Sequence, residues 1–199
     1  MKNKQWLVKK EFDSTHFQGY CLVHHHKGSS ANGESLSFEI VENDVYEGKK
    51  LVFCVESKST GMIEIQIIFV FSTPPDRKGL QFVGYLSPID GTIWSYEQKK
   101  KCIVSADVTN GTVLKSVYPV KRRKTFIKWF QQLKNGIVHY HPFVFGRHAA
   151  ILSFRFRLSE GESGKGTILL YEQEYEENQQ PKQDHLQKQT SISKKKMIL

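Results

Sequence analysis

Runs in which apolar and polar residues alternate, rich in Val, Ile, Phe, Tyr and Thr, recur along nearly the whole chain. A period of two sends successive side chains to opposite faces of an extended backbone, so such a chain must fold by covering one face of many short strands. Leu36, Phe38 and Ile40 alternate with Ser35, Ser37 and Glu39. In 61–72, Ile63, Ile65, Ile67, Phe69 and Phe71 share one face, while the other begins with Glu64 and Gln66 and turns apolar at Ile68 and Val70. That stretch reads as a long central strand whose second face is covered toward one end.

The pattern predicts strands over 5–12, 17–26, 35–42, 50–57, 61–72, 80–87, 92–98, 101–108, 112–119, 137–145, 149–158 and 167–175. Between them, 28–33, 73–79, 88–91, 109–111 and 159–166 have the Gly, Pro, Asn, Asp and Ser content of turns and exposed loops. Asn110-Gly111-Thr112 matches a glycosylation acceptor but reads better as a hairpin turn. The expected fold is all-β: a single-domain β-sandwich, jelly-roll or barrel of about ten to twelve strands. One short amphipathic helix is expected near 124–135, with Phe126, Phe130 and Leu133 at i, i+4, i+7, Ile127 beside them, and Lys124, Lys128 and Gln132 on the other side. Asn135-Gly136 should stop it.

No linker interrupts 5–175, and 199 residues suffice for one core, so residues 1–175 are expected to form one β-rich domain. Residues 176–199 change to a polar, low-complexity composition with Lys194-Lys195-Lys196 near the end, and read as a flexible tail with a basic end. The N-terminus lacks the apolar core of a signal peptide, and 62–71 is too short and polar to span a bilayer. Cys21, Cys54 and Cys102, odd in number and set within strand-like runs, read as small buried hydrophobes in a reducing compartment. The expected location is intracellular, cytoplasmic or nuclear, neither secreted nor membrane-spanning.

Charge is unevenly spread. From Val108 through Ser159 there is no Asp or Glu, yet there are ten cations: Lys115, Lys121, Arg122, Arg123, Lys124, Lys128, Lys134, Arg147, Arg155 and Arg157. They leave 19 basic against 20 acidic residues elsewhere, so one contiguous quarter carries the whole formal charge of +9. Neighbouring elements pack close together, which predicts a patch. In 151–158, Leu152, Phe154, Phe156 and Leu158 share one face and Ser153, Arg155 and Arg157 the other. At about 3.3 Å per residue the two arginines start roughly 7 Å apart, a pitch suited to successive phosphates. Tyr118, Trp129 and Tyr140 are interleaved with the cations, and any that are exposed offer stacking faces to unpaired bases. Trp129 and the helical aromatics read first as core. Lys121-Arg122-Arg123-Lys124, downstream of Pro119, also fits a short nuclear import motif or a plain solvated face.

His24, His25 and His26 form a triplet, and His139 and His141 an H-x-H pair whose strand-like spacing would let two side chains converge on one ion. Cys21 shares a face with His25 only, and no carboxylate stands beside either pair as a supporting partner, so no metal is assigned. The histidines read instead as a polar surface that gains charge below about pH 6.5. Ser163-Gly164-Lys165-Gly166 lacks the earlier glycine and the hydroxyl of a phosphate-binding loop, and no nucleophile elbow, H-E-x-x-H or dinucleotide fingerprint occurs. Asp76, Asp90 and Asp107 sit where turns form.

The sequence therefore predicts a non-enzymatic basic module for a polyanion, RNA or single-stranded nucleic acid first, with no catalytic residue and no cofactor. Lys121, Arg122, Arg123, Lys124 and Lys128 would supply long-range attraction, and Arg147, Arg155 and Arg157 would fix phosphates. The alternative is a self-assembling structural protein of viral capsid or matrix type that contacts a genome or an anionic membrane leaflet, with copies of the chain as partners.

Overall fold

The computed structural model describes residues 4–6, 12–13, 18–26, 36–46, 48–72, 82–97, 100–120 and 123–174. In chain order the elements are β1 (Lys4–Trp6), β2 (Phe12–Asp13), β3 (Gln18–His26), β4 (Leu36–Val45), β5 (Gly48–Ser57), β6 (Ile63–Ser72), β7 (Phe82–Leu86), β8 (Ile93–Glu97), β9 (Lys100–Thr109), β10 (Gly111–Pro119), α1 (Arg123–Lys134), β11 (Phe143–Phe145), β12 (His148–Leu158) and β13 (Ser163–Glu174). The strands form two antiparallel sheets. One, six-stranded, runs β1-β3-β6-β12-β10, with β2 also on β3; the other, seven-stranded, runs β11-β7-β8-β9-β13-β5-β4. The architecture is an all-β sandwich, as the alternation predicts.

The inner faces meet in one apolar layer. Ile63, Ile65, Ile67, Phe69 and Phe71 of β6 and Leu152, Phe154, Phe156 and Leu158 of β12 pack against Leu51, Phe53 and Val55 of β5 and Ile168 and Leu170 of β13. Phe53 anchors this layer, its ring 4.8 Å from Phe154 and 5.1 Å from Phe69, centroid to centroid. Such aromatic contacts add about 0.5–1.5 kcal/mol each beyond simple burial. β6 lies between β3 and β12, and its second face is covered where Ile68 and Val70 meet α1.

Several expectations needed correction. Of the predicted strand 5–12, Gln5 and Trp6 fall in β1 and Phe12 in β2, with 7–11 outside the described residues, and the predicted strand 137–145 pairs only over Phe143–Phe145. The predicted loop 159–166 is a turn only through Glu162. Ser163–Gly166 already belongs to β13, because Gly164 and Gly166 provide space for rings: a Cβ would lie 2.1 Å from Phe156 and 2.1 Å from Phe53, respectively. Asn110, at φ 58°, turns the chain from β9 in one sheet to β10 in the other, so it joins the sheets and closes no hairpin ladder. Cys21 and Cys102 are buried as expected, but Cys54 is exposed on the outer face of β5. The predicted loops 28–33 and 73–79 and the predicted tail 176–199 lie outside the described residues.

Candidate nucleic-acid interface

α1 forms where the 3.6-residue period predicts and lies on the outer face of the six-stranded sheet. Trp129 and Leu133, one turn apart, are buried against Leu22, Ile68, Val70, Ala149 and Ile151, and Phe130 is half-buried beside them. Ile127, expected next to the apolar side, is exposed. The helix stops at Gly136, whose φ of 74° only glycine adopts without strain. There Gly136 N–H donates to Leu133 O and Ile137 N–H to Gln132 O, each at 2.9 Å, which satisfies those two carbonyls of the last turn.

From Ile137 the chain returns along the outer edge of β10. Val117 N–H donates to His141 O at 2.9 Å, while the Ser116 hydroxyl donates to His139 O at 2.9 Å and accepts from His141 N–H at 2.8 Å. Leu86 N–H then donates to Pro142 O at 2.7 Å, and β11 pairs with β7. Residues 139–145 thus stitch one edge of the six-stranded sheet to one edge of the other.

Between this strap and α1 lies a groove of about 470 Å³. Tyr118 and Trp129 form its floor: their rings meet edge to face at 5.4 Å, and Trp129 Nε1–H donates to Pro119 O at 2.9 Å. Tyr118 OH accepts from His139 N–H. Burial raises the Tyr118 phenol above its ordinary pKa, against the opposing effect of that hydrogen bond. On the walls stand Lys128, His139, His141, Phe143 and Phe145. Val144 between the two phenylalanines is buried, whereas Phe143 and Phe145 are 48% and 64% exposed, with ring centroids 4.7 Å apart. No carboxylate is among the lining residues.

Among the described residues the predicted cations lie at different places along α1 and β12. Lys121 and Arg122 lie outside the described residues; Arg123 and Lys124 occupy the first two positions of α1. Lys128 is exposed on the helix at the groove. Arg147 precedes β12 and is tied to the approach to α1 by Val120 N–H donating to its carbonyl at 2.7 Å. Arg155 and Arg157 project from the far end of the same strand, roughly 26 Å and more from Arg147 at about 3.3 Å per residue. Arg155 is exposed near Gly136 at the end of α1. Arg157 has Glu64 directly opposite on β6, Nη2 to Oε1 3.7 Å, both largely exposed. Lys115, counted with the acid-free stretch, is partly buried and attracted by Asp90 and Asp107; burial lowers its pKa and the two carboxylates oppose that shift. Among the described residues, then, the predicted cations run from the start of α1 to its end, with Arg157 offset by Glu64.

Tyr118 and Trp129 are core and floor, as the helical spacing suggested for Trp129, and Tyr140 is exposed. Phe143 and Phe145 were not singled out in the sequence. The signal was there, as two aromatics flanking one valine at strand spacing, but the strap's path along β10 is what brings them to Lys128. Among the described residues no three His, Cys, Asp or Glu side chains group as metal ligands, and no helix is long and apolar enough to cross a membrane. Compared with protein-family models and with curated proteins, the chain matches none.

Proposed function

We propose that the domain is a non-enzymatic binding module for single-stranded nucleic acid, RNA above all, which it takes in the groove between α1 and β11. The observation that carries this reading is the groove itself: exposed aromatic rings and Lys128 around an opening with no carboxylate among its lining residues. Unpaired bases have π-faces that stack on such rings without regard to sequence, and a cation beside them meets the phosphate.

The start of α1 supports the same reading. Arg123 and Lys124 stand at the positive end of the helix dipole, and no acidic residue occupies the first turn. An anion there gains about 0.3–1 kcal/mol and a cation loses a comparable amount, a penalty that a bound phosphate relieves. Arg155 at the other end of α1 gives the strand a second place to anchor.

The test is association of the full chain with single-stranded RNA, duplex DNA and anionic vesicles, each over about 50 to 200 mM salt. Tight RNA binding that weakens with salt is expected, and Lys128→Glu should weaken it and make the slope of log K against log salt shallower by about 0.7 or more. RNA binding that is equal at both salts, or unchanged by Lys128→Glu, overturns the reading. Stronger binding to vesicles than to RNA would favour the membrane-leaflet alternative.

A further inference from the structure

The outer face of the seven-stranded sheet carries a feature that neither core layer uses. Tyr85 on β7 stands directly opposite Trp94 on β8, and Tyr96 follows on the same face two residues on. The three rings are nearly parallel: Tyr85 and Trp94 have centroids 6.2 Å apart at 8°, Tyr85 and Tyr96 5.9 Å at 9°, Trp94 and Tyr96 6.1 Å at 17°. Lys101 on β9 places its Nζ 3.8 Å from the centroid of the Trp94 ring. All four side chains are half-exposed, and none belongs to either apolar cluster.

The face is continuous with the groove. Phe143, which lines the groove, is the register partner of Tyr85. Phe143, Tyr85 and Trp94 therefore stand in one row across β11, β7 and β8, about 5 Å per strand. Cross-strand aromatic pairs do stabilise a sheet, by roughly 0.2–1 kcal/mol each, but that role needs neither the shared ring orientation nor a lysine on an open ring face. Parallel faces with a cation beside them are what consecutive bases and their phosphates require, and the only charge among these residues is positive.

We propose that Tyr85, Trp94, Tyr96 and Lys101 form a second base-stacking surface, continuous through Phe143 with the groove, over which a single-stranded RNA leaving the groove is laid across β7, β8 and β9. This rests on the groove reading above: the groove captures one end of the strand, and the sheet face determines how much more of it is held. Lys101 moves from the Trp94 ring to a phosphate as a base takes its place. No covalent step is involved.

The experiment compares Trp94→Val and Tyr96→Val with the wild-type full chain, since valine keeps the strand preference and removes the π-face. Binding is measured to unstructured oligouridine of two lengths, about four and about twelve nucleotides, and to an abasic oligonucleotide of the longer length. The longer oligouridine should bind each variant about tenfold or more weakly, while the shorter one and the abasic strand bind wild type and variants alike. Ultraviolet crosslinking of the longer oligomer to wild type should mark peptides from β7 and β8, which keeps the test independent of how the variants fold. Undiminished binding by both variants, or crosslinks confined to α1 and β11, overturns the sheet surface while the groove stands. Failure of wild type to bind any oligouridine overturns both.

Discussion

Ser95 on β8 and His148 at the start of β12 meet inside the sandwich, Oγ to Nε2 2.8 Å, joining the seven-stranded sheet to the six-stranded one. The other ring nitrogen, Nδ1, lies 2.9 Å from Gly146 O, which can only accept, so Nδ1 carries the proton and Nε2 accepts from the serine hydroxyl. The ring has room because Gly84 faces it: a Cβ there would come within 2.5 Å of the imidazole. Both polar side chains are buried and each satisfies the other, so the pair fixes how the two sheets face one another at the end near the groove.

This pair predicts a pH dependence of stability. Burial lowers the His148 pKa below its ordinary 6.5, partly opposed by the Gly146 hydrogen bond. The unfolded chain then binds a proton before the folded one does. Stability from His148 is complete above about pH 6.5 and falls as pH drops from there toward the folded-state value. Urea midpoints from about pH 8 to 5 should decline below 6.5, and Ser95→Ala should lower the unfolding free energy at every pH, by about 1–3 kcal/mol for the unsatisfied nitrogen. A flat profile over that range would show that the ring is not held neutral by the fold.

Gly166→Ala should be among the most damaging single-methyl changes in the chain. The added Cβ would lie 2.1 Å from the Phe53 ring, which is itself held by Phe69 and Phe154. Overpacking of this kind costs about 1–3 kcal/mol, and Phe53→Leu in the same chain should recover part of it. Chemical denaturation of the two single variants and the double variant measures the coupling; strictly additive losses would mean that the ring is not what the glycine accommodates.

The same glycine explains where sequence reading stopped. Alternation carries one bit per residue, inside or outside, and it placed Leu152, Phe154 and Phe156 inward and Arg155 and Arg157 outward, as found. It cannot distinguish a glycine that turns the chain from one that makes room for a ring, so Ser163–Gly166 read as loop. Nor does it carry register between distant strands. The opposition of Glu64 and Arg157 depends on how β6 and β12 pair, and the placing of Phe143 and Lys128 around one groove depends on Ser116 holding the strap to β10. Faces were legible locally; the grouping of functional residues was set by long-range pairing.

The three thiols should separate by reactivity. Cys21 is buried, and desolvation pushes its pKa up to about 12; Cys102 is buried on β9, whereas Cys54 is exposed on β5. Thiolate is the reactive form, so burial suppresses reaction both by access and by pKa. Native protein treated with an excess of a thiol reagent should take up one label quickly, and Cys54→Ser should abolish it. Rapid labelling of two or three sites in the native state would contradict the burial of Cys21 and Cys102.

The Glu64–Arg157 pair offers a gain-of-function test of the proposed RNA contacts. Both side chains are largely exposed, so the ion pair contributes little to folding, yet at 3.7 Å the carboxylate partly cancels a cation on the same sheet face as Arg155. Glu64→Gln keeps the size and hydrogen-bonding capacity of the residue and removes its charge. The melting temperature should stay where it is. Affinity for single-stranded RNA should rise, and the slope of log K against log salt should steepen by about 0.7 if Arg157 then takes a phosphate. Unchanged affinity with an unchanged slope would remove Arg157 from the binding surface and leave Arg155 as its outermost cation on that strand.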